Sequence, residues 1–118
     1  MILGIGTDIV AVERFKKLKD KQEFLAQVFL TDELARAPRI NGDMFYASMF
    51  AAKESVLKAL GCGLSQGSFW HHIRILKDNQ ISLSGPLLEM IPQGSTPSIR
   101  VSLSGAGEFA IAYVIIEI

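Results

Sequence analysis

The sequence predicts an α+β domain with a small antiparallel sheet packed against one long and several shorter helices. Three observations lead there. An apolar, β-branched run opens the chain, helical periodicity fills most of residues 13–60, and period-two alternation fills most of the chain beyond them. With 118 residues and 49% apolar composition, the chain has material for one real core, and a single domain over 1–118 is expected.

Each element has its own signal. The run MILGIGTDIV reads as a buried first strand. ERFKKLKDKQEFLAQVF places Phe15, Leu18, Leu25 and Phe29 on one side of a single amphipathic helix. Thr31, followed by Asp32 and Glu33, is the expected N-cap of a short helix that Pro38 ends. Asp43 to Leu60 is the longest helical segment, stopped by Gly61 and Gly63. HIRILK and QISLS flank Asp78-Asn79 as a hairpin, and residues 86–91 hold a helical turn or two. After the loop PQGSTP, SIRVSLSG alternates, with Ile99, Val101 and Leu103 on one face and Arg100, Ser102 and Ser104 on the other. EFAIAYVIIEI then forms an apolar last strand.

Composition narrows the classes of function. Twelve basic and twelve acidic residues cancel, so no global field points to nucleic acid or a membrane surface. One cysteine rules out an internal disulfide and suits a reducing compartment. No apolar run approaches the roughly 20 residues that span a bilayer, and the start carries no secretion-signal pattern. A soluble, cytoplasmic protein is expected.

Two places carry chemistry. Asp8 sits among Ile, Leu and Val, and an unpartnered buried carboxylate costs several kcal/mol or takes up a proton, so it needs a turn, a cap or a cationic partner. On the long helix, Phe45, Met49, Ala52, Val56 and Leu60 form one stripe and Tyr46, Phe50 and Leu57 widen it, so the helix is covered on most sides. Its remaining face holds Asp43, Ala47, Ala51, Glu54 and Lys58, with the alanines leaving a shallow space. The plain reading of Glu54 and Lys58 is a one-turn salt bridge of about 0.2–0.5 kcal/mol. The other reading uses the ending KALGCGLSQG, where glycine backbone N–H groups and Lys58 suit an anion, although without the spacing of a P-loop.

GIGTDIV, FAAKESVLKALGCGLS and VSLSGAGEFAIAYV, taken together and in this order over nearly the whole chain, resemble the holo-acyl-carrier-protein synthases, small phosphopantetheinyl transferases. The resemblance implies the phosphopantetheinyl transferase fold and a reaction in which a serine hydroxyl of apo-acyl carrier protein attacks the β-phosphorus of coenzyme A. It implies that 4'-phosphopantetheine is transferred and 3',5'-adenosine bisphosphate released, in support of fatty-acid synthesis. It also implies that Asp8 and Glu54 hold Mg2+, that Glu54 accepts the serine proton directly or through water, and that Lys58 contacts phosphate. Gly61, Gly63, Ser65, Ser102 and Ser104 are implied as coenzyme contacts. The family docks its acidic carrier on a basic helix, here RFKKLKDK with a local charge of +4, so Arg14, Lys17 and Lys21 are expected to bind it. A homotrimer with sites between subunits is implied too, and both faces of FAIAYVII being apolar argues independently for a covered second face.

Two departures stand out. Gly105 replaces the histidine that usually follows the strand's serine, and Met49 replaces an arginine often found before FAAKE. His71 and His72 lie too far along to stand in for the missing imidazole and read as a solvated pair before a strand. A non-catalytic module that binds coenzyme A or a carrier protein is the alternative these losses keep open.

Overall fold

A computed structural model describes residues 1–62 and 69–118. The chain begins with strand β1 (Ile2–Ala11), followed by helices α1 (Glu13–Lys16), α2 (Lys21–Val28), α3 (Thr31–Leu34) and α4 (Gly42–Ala59). A 3-10 turn at Trp70–His72 leads into the hairpin β2 (Ile73–Ile75) and β3 (Ile81–Leu83). Helix α5 (Gly85–Glu89) and strands β4 (Ser98–Ala106) and β5 (Phe109–Glu117) complete the order. This is the expected α+β architecture. β1, β5 and β4 form one antiparallel sheet in that spatial order, and β2 and β3 form a second. No described helix is long and apolar enough to cross a membrane.

The alternation read from the last two strands becomes two chemically different sheet faces. Ala110, Ala112, Val114 and Ile116 are wholly buried, and α4 packs on this side against β5 and β1. Ser55 Oγ donates to the Ala51 carbonyl one turn back and lies 3.4 Å from the Ala112 carbonyl of β5. From Ala47 to Leu57 every residue of α4 except Ser48 is buried, as a helix covered on most sides must be. The other sheet face keeps Ile5, Ile9, Phe109, Tyr113 and Ile115 exposed.

Close approach of α4 to β1 depends on two glycines. A Cβ added at Gly6 would lie 1.8 Å from the Ser55 carbonyl oxygen, and one at Gly4 2.0 Å from that of Ala59. Only glycine lets the two backbones meet there. The helix then ends as its sequence requires. Gly61 takes φ +78, its N–H donates to the Lys58 carbonyl, and the Cys62 N–H reaches back to Leu57.

Several local expectations are corrected. Residues 13–29 form two helices, since Asp20 adopts φ 51 and breaks the run. One continuous helix would stack like charges from Arg14 to Lys21 at three-and-four spacing, whereas the break lets Phe15 and Phe24 both reach Phe50 of α4, at 5.8 and 6.0 Å between ring centroids. Thr31 is the first residue of α3 and not its cap. The cap is made by Glu33, whose Oε1 accepts the Leu30 N–H at 2.8 Å, and α3 ends at Leu34, before Pro38. Ala47 and Ala51 are wholly buried, so the shallow space expected beside them is filled.

Candidate active site

β1 and α4 bring together residues 46 positions apart in the chain. Asp8 has the inward parity of Gly4, Gly6 and Val10, which points its carboxylate toward α4. Glu54 and Lys58, one turn apart, face it. Together with Arg14, Phe24, Phe50 and Trp70 they line a cleft of about 340 Å³.

The ion pair in this cleft is not the one that sequence spacing suggests. Lys58 Nζ donates to Asp8 Oδ1 at 2.9 Å and to the Thr7 carbonyl at 3.1 Å, rather than pairing with Glu54 one turn back. Glu54, only 8% exposed, instead accepts the Trp70 indole N–H at Oε1, 2.8 Å away. The charge in the apolar first strand thus has its cationic partner, and that partner comes from α4. The aromatic walls pack at steep angles: between centroids, Trp70 lies 5.7 Å from Phe50, tilted by 58°, and 5.8 Å from Phe24, edge-on at 70°, and Arg14 sits 5.3 Å over the Phe50 ring.

Behind the cleft lies a second charged group that motif and spacing do not disclose. Lys53 and Glu33 are completely buried and paired at 2.7 Å. Burial pushes the Lys53 ammonium below the ordinary lysine range, and the adjacent Glu33 carboxylate opposes that shift. Removing one partner of such a pair costs about 3–5 kcal/mol, because the other is left charged in the interior.

Other expected site residues fall elsewhere. Ser102 and Ser104 stand opposite Tyr113 and Ile111 in the register of β4 and β5, on the sheet face away from α4, so a single chain does not bring them to Asp8 and Glu54. Gly61 caps α4 one turn beyond Lys58. Gly63 and Ser65 lie outside the described residues. A side chain at Gly105 would meet Met44 at 3.5 Å, about four turns of α4 from Lys58. Met49 is buried in the core, roughly 140° around α4 from Glu54, so its position is not part of this cleft.

The three basic residues expected to bind a carrier do not share one helix face. Arg14 is in the cleft wall, Lys17 is exposed and paired with Glu13 at 3.3 Å, and Lys21 is half-buried against Asp43. His71 and His72 are not simply solvated: His71 Nε2 lies 2.8 Å from the Ala26 carbonyl, and His72 Nδ1 lies 3.4 Å from Ser84 Oγ.

Chemically, the cleft offers two carboxylates and two cations, which cancel. Among the described residues no cluster of three metal-ligating side chains exists. Two hard oxygen donors fit a cation such as Mg2+, which retains waters and takes phosphate oxygens as its other ligands.

Comparison with known proteins gives the family. The family described as the 4'-phosphopantetheinyl transferase superfamily matches residues 4–114. A holo-[acyl-carrier-protein] synthase of Azorhizobium caulinodans is 38% identical over 99% of this chain and 94% of its own length. The Helicobacter pylori synthase, solved in complex with coenzyme A, superposes with a TM-score of 0.77 at 29% identity, covering 96% of this chain and 99% of that one. The Neisseria meningitidis synthase gives the same TM-score at 30% identity over the whole of both chains. With a family match over nearly its full length and relatives aligned end to end, the chain belongs to the 4'-phosphopantetheinyl transferase superfamily, among the holo-acyl-carrier-protein synthases.

Proposed function

We propose that this transferase moves the 4'-phosphopantetheine of coenzyme A onto a serine hydroxyl of an apo-acyl carrier protein, serving fatty-acid synthesis in the cytoplasm. The observation that carries the reading is the meeting of Asp8 with Glu54 and Lys58 in one aromatic-walled cleft. The serine oxygen attacks the β-phosphorus, the bond from that phosphorus to the bridging oxygen breaks, and 3',5'-adenosine bisphosphate leaves. Glu54 takes the hydroxyl proton, directly or through a water, and Lys58 meets the charge that grows on the departing phosphate. Asp8 and Glu54 are the residues to hold Mg2+, which when bound neutralises diphosphate oxygens and aligns them for in-line transfer. Retention of all three residues in one cleft favours transfer over a module that merely binds coenzyme A or carrier.

The partner reading rests on charge. Arg14 at the cleft wall and exposed Lys17 nearby give an acidic carrier a basic approach to the site. Self-association rests on the apolar sheet face. Ile5 (56% exposed), Ile9 (60%) and Tyr113 (54%) lie side by side on β1 and β5, and a closed homotrimer would cover them while leaving no open ends. Ser102 and Ser104 share that face, so they would reach a coenzyme bound to a neighbouring subunit.

The direct test is incubation with apo-acyl carrier protein, coenzyme A and Mg2+, read by the mass of the carrier. A phosphopantetheine adduct is expected, and its absence across several carriers refutes transfer. Sedimentation equilibrium at micromolar concentration is expected to give a trimer. Mixing Glu54→Gln with Ser104→Ala subunits is expected to recover part of the activity that each lacks alone, and a fully active monomer refutes shared sites.

A further inference from the structure

We infer that the buried Lys53–Glu33 pair is a positioning device for Glu54, acting through Trp70; this rests on the role proposed above for Glu54. Lys53 and Glu54 are adjacent in the chain, and each bonds Trp70. Lys53 Nζ donates to the Trp70 carbonyl at 3.1 Å, while the Trp70 indole donates to Glu54 Oε1 at 2.8 Å. The tryptophan is therefore clamped by its main chain from one residue and sets, with its side chain, the carboxylate of the next.

The clamp is fully satisfied. An ammonium has three donors, and those of Lys53 go to Glu33 Oε1 at 2.7 Å, the Val28 carbonyl at 2.8 Å and the Trp70 carbonyl. Glu33 in turn accepts the Leu30 N–H at Oε1 and the Ile75 N–H at Oε2, both at 2.8 Å. The end of α2, the start of α3, the Trp70 turn and β2 are thus tied to one point on α4, the residue beside Glu54. A buried ion pair is weak evidence for stability, since apolar groups of like volume commonly do as well. What apolar groups lack is a donor for the Trp70 carbonyl. Without it the Trp70 carbonyl keeps the Ile73 N–H but loses its tie to α4. The turn, three residues long, is then held from its far end by His71 on the Ala26 carbonyl and by the Ser84 N–H on the His72 carbonyl, not at the residue that carries the indole.

The position of Glu54 matters because its second role, taking a proton from an incoming hydroxyl, depends on placement to a fraction of an ångström. A hydrogen bond from a neutral donor to a carboxylate is a strong one, and the low-dielectric wall of Phe24 and Phe50 strengthens it. Lys53 and Glu33 touch no reacting atom in this scheme and are positioning residues only.

The chain has a single tryptophan, so its fluorescence reports the clamp without reference to activity. Trp70→Phe keeps a ring in the wall and removes the N–H. It is expected to lower kcat about ten- to a hundredfold, with the KM for coenzyme A within about twofold of wild type. Lys53→Met/Glu33→Gln removes both charges together. Below its melting temperature this variant is expected to show at least twofold stronger acrylamide quenching of Trp70 and a kcat loss like that of Trp70→Phe. Combining all three changes is expected to cost no more than Trp70→Phe alone, because one route is being cut twice. A folded Trp70→Phe enzyme with kcat within twofold of wild type overturns the inference, as do unchanged quenching or additive losses. Should the double variant not fold, Trp70→Phe decides alone. Glu54→Gln separates the two readings: if it is fully active the assignment of Glu54 fails, whereas an inactive Glu54→Gln beside a normal Trp70→Phe leaves that assignment standing and removes only the clamp.

Discussion

Gly6→Ala is expected to be the most damaging single methyl that can be added to this chain's first strand. The new Cβ would sit 1.8 Å from the Ser55 carbonyl oxygen, 2.8 Å from its carbon and 2.9 Å from the Ala59 nitrogen. All three are backbone atoms of α4, so no side chain can rotate aside. The helix must retreat about 1.2 Å to restore even a 3.0 Å contact, and a gap of that order forfeits a quarter to a half of the dispersion energy along the facing surfaces. Overpacking of a rigid core costs about 1–3 kcal/mol, and backbone-on-backbone overlap places this case at or above the upper end, roughly 3 kcal/mol. With a urea m-value of about 1.5 kcal/mol/M, the midpoint is expected to fall by about 2 M at fixed protein concentration. Because Asp8 is two residues along the same strand, the retreat also pulls it from Lys58, and turnover is expected to fall with stability. Gly105→Ala is the control: its Cβ would meet the flexible end of Met44 at 3.5 Å and the Phe109 carbonyl oxygen at 3.7 Å, both ordinary van der Waals contacts, and a change within about 0.5 kcal/mol is expected. If Gly6→Ala unfolds within about 0.5 kcal/mol of wild type, the close approach of β1 to α4 is not what holds the site.

The remaining predictions concern the charges. Asp8→Asn and Glu54→Gln are each expected to lower turnover by about two to three orders of magnitude with the fold retained, and near-wild-type rates in both refute a shared metal site. Lys17→Glu is expected to raise only the KM for carrier, an effect that fades as salt rises, whereas Arg14→Glu, in the cleft wall, is expected to impair coenzyme A as well; identical profiles would contradict their different placement. The Arg74 guanidinium hydrogen-bonded to Asp32 holds that carboxyl below its usual 3.8, so the pair's small contribution is present above pH 3.8 and lost as pH falls through the lowered value. Urea titrations of wild type and Arg74→Gln are therefore expected to differ at neutral pH and converge in acid; a gap that widens in acid refutes the sign.

By itself the sequence determined the elements and their chemistry. Period-two alternation in SIRVSLSG and FAIAYVII is a local property of a pleated strand, and it sorted Ser102 and Ser104 from Ile99, Val101 and Leu103 without knowledge of what either face meets. The lone carboxylate at Asp8 called for a turn, a cap or a cationic partner, because an apolar run makes an unpaired buried charge costly, but it did not say which of the three. Lys53 inside MFAAKESVL carried no such signal, and only the fold shows it buried and paired with Glu33. Pairing across space is what the tertiary structure decided. Helical spacing offers Lys58 to Glu54 with certainty of proximity, yet the contact of β1 with α4, permitted by two glycines, presents Asp8 and the Thr7 carbonyl together, and the ammonium goes there. Glu54 is then left to an indole 16 residues away, and the basic run splits at Asp20 because two phenylalanines must both reach one helix. Local sequence fixes which groups exist and which way each points from its own element; which of several adequate partners each one takes depends on how closely the backbones can pack.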